Sequence, residues 1–185
     1  MKKESYVILA DGFELIEAMT PVDVMRRAGM DVKTLSINET ESVMSANGVA
    51  VIADALFDPD MVKDAEWIIL PGGMPGAVNL YNCEPLCDAV RQQYDSEGKI
   101  ASICASPAVV LGQLGLLKGR TGICYPGFED KMEGASIADT GVTVDTKFVL
   151  GAGPGLALPW SLEIVKIARG SDVADEVAAG MLVNR

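Results

Sequence analysis

Cys104 is the residue with the most chemistry in reach. It follows a buried-strand pattern, Lys99-Ile-Ala-Ser-Ile103, and precedes a predicted helix over Pro107 to Leu117. In open α/β sheets, sites form beyond the carboxyl ends of strands. A sharp strand-to-helix turn holds its apex side chain out, and the positive end of the following helix favours thiolate over thiol. The alternative is an inert core thiol. A second strand pattern, Trp67-Ile-Ile-Leu70, runs into Pro71-Gly72-Gly73. Glycines there let backbone N–H groups approach a ligand closely, and with the N–H of Ala105 they can form an oxyanion hole. From local sequence alone an ordinary turn is the favoured account. Glu14 and Glu17 stand three apart on the next helix pattern and so share a face, off the apolar stripe, where solvated carboxylates are usual.

The chain contains no histidine. An in-chain Cys-His or Ser-His pair is excluded, as is any zinc site with a histidine ligand. A thiol site therefore needs another acid/base. A carboxyl buried beside the thiol, with its pKa raised, can serve. Of the four cysteines, only Cys83 and Cys87 are close in sequence, with no second pair to complete a Cys₄ site. No metal is expected.

The elements that must position these residues alternate. Strands are predicted at Tyr6–Ala10, Val32–Ile37, Trp67–Leu70, Lys99–Ile103 and, briefly, Thr121–Tyr125. A hairpin is centred on Asn47-Gly48, flanked by Val43 and Val49–Val51, and a strand pair covers Val142–Leu150. Helices are predicted at Leu15–Ala28, Glu84–Tyr94, Pro107–Leu117, Leu158–Ala168 and Asp172–Leu182. Leu15, Ala18, Met19, Val22 and Met25 form the apolar stripe of the first, Gly29 closes it, and Ser171 caps the last. Gly151 to Gly155 reads as a glycine-rich turn. This alternation implies an α/β fold, a doubly wound, mostly parallel sheet with helices on both faces. No linker or repeat divides the chain, so one domain over 1–185 is expected.

The 185 residues carry a net charge of −11 and are 49% hydrophobic, with pI near 4.4 and mean hydropathy +0.26. That composition is globular, not disordered. Without a basic stripe, nucleic acid is not an expected partner. No apolar run is long enough for a membrane span, and Tyr6–Ala10 is too short and too soon broken by Asp11 for a signal peptide. A cytoplasmic protein with reduced cysteines is expected.

Several segments together resemble the ThiJ/PfpI family, and particularly the branch that contains the parkinsonism-associated deglycase. They are Ala10-Asp-Gly-Phe-Glu-Leu-Ile-Glu17, Pro21-Val-Asp-Val-Met-Arg-Arg-Ala-Gly29, Ile69-Leu-Pro-Gly-Gly73, Ile103-Cys-Ala-Ser-Pro107, Tyr125-Pro-Gly-Phe-Glu-Asp-Lys-Met132 and Gly153-Pro-Gly155. Any one is weak. In family order over nearly the whole chain they are specific. The resemblance implies a flavodoxin-like sandwich and a homodimer. It implies Cys104 as nucleophile, Glu17 as the carboxyl beside its sulfur, and Gly73 and Ala105 as oxyanion donors. Glu14, Gly72, Tyr125 and Gly153 fall around the same pocket. It also implies a cofactor-independent glyoxalase or deglycase acting on a small aldehyde such as methylglyoxal. The rival from another class is a non-enzymatic oxidative-stress sensor or chaperone in which Cys104 is oxidised to sulfinate. A nucleotide-binding role lacks a phosphate-loop signature.

The chain departs from the family pattern at three places. Tyr125 stands where many relatives carry histidine before the proline, which argues against a peptidase. Ala152 replaces an arginine before Gly-Pro-Gly, and Leu156 stands where threonine is common. Cys124 is read as structural, beside the pocket.

Overall fold

A computed structural model describes residues 3–96 and 98–183. The remaining positions of the expected 1–185 domain lie outside the described residues. The chain runs β1 (Ser5–Leu9), α1 (Leu15–Arg27), β2 (Val32–Ser36), β3 (Ser42–Met44), β4 (Ala50–Ile52), β5 (Ala55–Leu56), α2 (Pro59–Val62), β6 (Trp67–Leu70), α3 (Gly76–Asn82), α4 (Glu84–Asp95) and β7 (Lys99–Ile103). A π-helix over Pro107–Gly112 follows. Then come β8 (Thr121–Gly122), β9 (Ser136–Ile137), β10 (Val142–Val144), β11 (Phe148–Gly151), α5 (Ala157–Arg169) and α6 (Ser171–Gly180).

Seven strands form one sheet in the order β10-β11-β7-β6-β1-β2-β5. All its pairings are parallel except the β10–β11 hairpin. This is the doubly wound, mostly parallel arrangement that the strand–helix alternation implies, and the flavodoxin-like fold that the resemblance implies. The central strands are buried on both faces, so they read as continuous apolar runs. Alternate side chains feed two separate cores. Val7, Leu9, Trp67, Ile69, Ala101, Ile103 and Val149 face α1, α5 and α6. Tyr6, Ile8, Ile68, Leu70, Ile100, Phe148 and Leu150 face the side of α3 and α4. Each fully buried Ile or Leu here contributes about 1.5–3 kcal/mol.

Helix α1 packs on α5, and α5 on α6. Of the predicted stripe, Ala18, Val22 and Met25 are buried, while Leu15 and Met19 pack against the cluster from a half-buried position. Gly29, one residue past the C-cap Ala28, takes φ +69° and turns the chain. The small β3–β4 hairpin at Asn47-Gly48 docks beside the start of α1, where Phe13 bridges to Ser45.

Three expectations are corrected. The helix predicted over Pro107–Leu117 is a π-helix that ends at Gly112. Gly112 there lies so close to another segment that an added Cβ would stand 2.3 Å from the Lys131 carbonyl oxygen. The strand predicted over Thr121–Tyr125 stops at Gly122, paired with β9 outside the main sheet. From Tyr125 the chain binds Cys104 instead, through Tyr125 N–H to Cys104 O at 2.7 Å. Ser171 is the first residue of α6 and not its cap; Gly170, at φ +94°, holds the cap position. Among the described residues, no helix is long and apolar enough to cross a membrane.

Candidate active site

Three strand ends converge on Cys104. The first is β7, which delivers the cysteine itself. Cys104 has φ +64°, in the left-handed region that non-glycine residues rarely occupy. Such a conformation costs about 1–3 kcal/mol and persists only when the surroundings over-determine it. Here they do. Cys104 N–H donates to Gly151 O at 2.9 Å, at the end of β11, and Cys104 O accepts from Tyr125. The backbone is pinned on both sides and the side chain is left half-buried.

The second strand end is β6. Pro71 has no N–H to continue the ladder, and Gly72 and Gly73 turn toward the start of α1. Gly73 adopts φ +88°, and a Cβ on it would stand 2.4 Å from Glu14 N and 2.5 Å from Gly12 O. Only glycine fits that approach. Ser106, fully buried just after the nucleophile, donates its hydroxyl to Pro71 O at 2.6 Å. This contact ties the β6 turn directly to the Cys104 turn.

The third is β1, which leads into α1. Glu14 is the N-cap of α1, with extended backbone and no side-chain cap bond. Its N–H donates instead to Gly72 O at 2.9 Å. Glu17, in the first helical turn, does not fold back onto the cap residue. Its Oε2 accepts the Gly72 N–H at 2.8 Å. So Glu17 is fully buried, where the helix pattern taken alone suggests a solvated carboxylate. Glu14 stays half-buried and accepts a long contact from Asn47. The two glutamates share a helix start but not an environment.

The second carboxylate oxygen, Glu17 Oε1, is buried and has no hydrogen-bond partner. Glu17 and Cys104 nevertheless act on each other. Burial pushes the Glu17 carboxyl up to about 7, against the pull of the Gly72 N–H and the Cys104 thiol, with the charge of Glu14 adding to the rise. Burial also pushes the Cys104 thiol up to about 12, followed by the negative charge of Glu17. The N–H groups of Gly73 and Ala105 pull the other way. The acidified thiol expected from a helix N-terminus is therefore not the resting state. The π-helix begins only at Pro107, and burial together with the carboxylate beside the sulfur outweighs the two N–H donors. The thiolate is less disfavoured once Glu17 takes its proton, because the opposing charge then disappears while the Gly73 and Ala105 donors remain.

Among the proposed pocket residues, Gly72 has no room for a side chain. A Cβ there would stand 2.7 Å from Cys104 Cβ and 2.8 Å from Glu17 Oε2. Tyr125 is exposed, and its ring lies against Gly153, where a Cβ would stand 3.3 Å from Cδ2. The geometry thus groups Cys104, Glu17, Gly72, Gly73, Ala105, Tyr125 and Gly153, with Glu14 at the margin. Sequence reasoning missed Ser106. The only signal for Ser106 was a hydroxyl between the nucleophile turn and Pro107. Cys83, Cys87, Cys104 and Cys124 are all free thiols. Among the described residues, no group of three or more His, Cys, Asp or Glu side chains is placed to hold a metal.

A family model described as the DJ-1/PfpI family matches residues 3–167. Protein DJ-1 homolog B of Arabidopsis thaliana is 37% identical over 185 residues, which cover 99% of this chain and 42% of that protein. The chain spans less than half the length of this relative. The glutathione-independent glyoxalase DJR-1.2 of Caenorhabditis elegans is 30% identical over 174 residues, covering 92% of this chain and 91% of that one. Among solved structures, oxidized Toxoplasma gondii DJ-1 superposes with a TM-score of 0.93 at 34% identity, covering 99% of this chain and 100% of that chain.

Proposed function

Because the chain belongs to the DJ-1/PfpI family, we propose that it is a cofactor-independent glyoxalase acting on 2-oxoaldehydes such as methylglyoxal, with Cys104 as nucleophile and Glu17 as acid/base. The observation that carries this reading is the unpartnered, buried Glu17 Oε1 beside a thiol whose sulfur faces two backbone N–H groups. A named glyoxalase among the relatives supports the same reaction class.

The sulfur attacks the aldehyde carbon, and the carbonyl π pair moves to oxygen. Glu17 accepts the thiol proton and delivers it to that oxygen, giving a hemithioacetal. Gly73 and Ala105 N–H groups stabilise the oxyanion as it forms. The Glu17 carboxylate then removes the proton on the former aldehyde carbon while the adjacent carbonyl oxygen takes up the hydroxyl proton, giving an enediolate; Glu17 returns its proton to the adjacent carbon as the first oxygen becomes the thioester carbonyl. The first carbon is oxidised and the second reduced, with no external redox partner, and a thioester of a 2-hydroxy acid results. Water attacks the thioester, the C–S bond breaks, and the thiol regains a proton. Methylglyoxal and water give lactic acid.

The test is lactate formation from methylglyoxal by wild type against Cys104→Ser and Cys104→Ala, with folding checked by circular dichroism. Loss of turnover in both folded variants is the expected result. Wild-type rates no higher than the variants would overturn the enzyme reading.

A second reading has its own observation. Cys104 is half-buried and reachable, and the similar Toxoplasma protein was solved in oxidized form. In this reading two equivalents of hydroperoxide convert the thiol to sulfinic acid, releasing two of water or alcohol, and no aldehyde turnover occurs. Peptide mass mapping after peroxide, beside the lactate assay, separates the two. We also propose a cytoplasmic homodimer, supported by the exposed apolar side chains of Ile16, Met44, Val49 and Ile52 at the start of α1 and on the adjoining hairpin.

A further inference from the structure

Tyr125 is the side chain that the nucleophile's own backbone brings to the mouth of the site. Its N–H holds Cys104 O at 2.7 Å, while the residue remains 46% exposed. The ring is not loose. It lies against Gly153 and meets Phe128 edge-on, with centroids 6.5 Å apart and planes at 76°. Phe128 and Cys104 pack against the same small apolar cluster of Ala77, Ala105 and Val109. One side of the sulfur is therefore walled by apolar and aromatic groups. The charges that shift the reacting pair are both negative: Glu17 acts on Cys104, and Glu14 acts on Glu17. Among the described residues, no lysine or arginine is among the groups that shift either residue.

We propose that Tyr125 is a specificity-determining platform, and that the site takes uncharged 2-oxoaldehydes bearing an aryl group in preference to methyl-bearing or carboxylate-bearing ones. The claim rests on the glyoxalase reading and names its substrate class. An aryl group beside the reacting carbonyl has an exposed ring to stack on. Offset or edge-on aromatic pairing is worth about 2- to 10-fold in an equilibrium beyond simple burial. A carboxylate at the same position would meet the negative charges of Glu17 and Glu14, so it is disfavoured.

Alkylation of Cys104 tests the platform without requiring turnover. Phenacyl bromide and bromoacetone are a matched pair of neutral ketones, aryl against methyl. Iodoacetate and iodoacetamide are matched in size and differ in charge. In each case sulfur displaces halide and the thiol proton is lost. Rate constants at Cys104, read by peptide mass mapping, are divided by those of 2-mercaptoethanol. The aryl-to-methyl ratio should be about 3- to 10-fold above the free thiol. It should fall to the free-thiol value in Tyr125→Ala and survive in Tyr125→Phe, which keeps the ring. Iodoacetate should lag iodoacetamide by about 10-fold more than it does with the free thiol. A wild-type ratio equal to that of the free thiol, or one unchanged in Tyr125→Ala, overturns the proposal.

Turnover is the second arm, with phenylglyoxal against methylglyoxal. A kcat/KM for phenylglyoxal no higher than for methylglyoxal overturns this proposal alone. Turnover of neither, with selective alkylation intact, overturns the glyoxalase reading and the substrate claim with it.

Discussion

The N–H of Gly72 lies 2.8 Å from Oε2 of Glu17, and the space where Gly72 would carry a side chain is already taken by Cys104 and by that same oxygen. One glycine therefore spaces the two reacting groups. In Gly72→Ala the new methyl would also stand 2.9 Å from Ile103 O, so a carboxylate, a thiol and a backbone carbonyl must all yield. The expected result is a loss of about 1–3 kcal/mol in urea unfolding. Turnover should fall further than stability accounts for, by roughly 10²-fold, the scale of a misplaced reacting group. Wild-type turnover in this variant would show that the spacing does not matter.

Glu17 also predicts a pH dependence of stability. Burial raises its pKa from 4.5 to about 7 in the folded protein. Between those values the native state holds a proton that the unfolded chain has released, so stability falls as pH rises. Below 4.5 the contribution is fully present, and by pH 7 it is lost, a change on the order of 3 kcal/mol. Glu17→Gln has no such proton. The difference in unfolding free energy, wild type minus variant, should therefore decline from pH 5 to pH 8. Parallel curves would mean that the carboxyl is not held neutral by burial.

The same group sets the rate. Glu17→Gln cannot accept the thiol proton and should lose roughly 10²-fold or more in turnover. Glu14→Gln, at the margin of the site, should lose far less. Wild-type kcat/KM should rise with pH through about 7, as Glu17 becomes the carboxylate that receives the proton. Equal turnover numbers for the two variants would remove Glu17 from the chemistry.

Ser106 is expected to act on posture and not on the reacting atoms. Ser106→Ala leaves the buried Pro71 carbonyl without its 2.6 Å donor. The expected cost is about 1–3 kcal/mol of stability. Because Pro71 leads directly to the Gly72–Gly73 N–H groups, kcat should fall more than KM rises. A variant that loses stability yet keeps its kcat would make Ser106 structural only.

For the dimer, Ile52→Asp places a charge at the most exposed apolar side chain of the hairpin, where Ile52 is 68% exposed. Light scattering should give twice the chain mass for wild type and the monomer mass for the variant. A monomeric wild type would end that proposal.

The parts of the site lying on buried strands were the parts legible in sequence. Trp67–Leu70 and Lys99–Ile103 are buried on both faces, so their apolar runs stand out, and the turns that follow them mark Gly72, Gly73 and Cys104. Glu17 was different. Its helix periodicity marks it as polar and outward; the resemblance pointed to it, and the bonds between residues 14, 17 and 72 hold it inside. The π-helix at Pro107–Gly112 was equally hidden, because its apolar sequence reads the same in an α-helix. Short elements such as β5 and α3 escaped too, being too brief for a period to show.

The bond from Tyr125 to Cys104 is made by the backbone of Tyr125, not by its side chain. Every amino acid except proline supplies that N–H. The posture of the nucleophile is thus insulated from the identity of the side chain at the mouth, and the two can be altered independently. Position 125 is a natural place for a saturation library, where a new choice of aldehyde can be selected while the machinery that reacts with it stays in place.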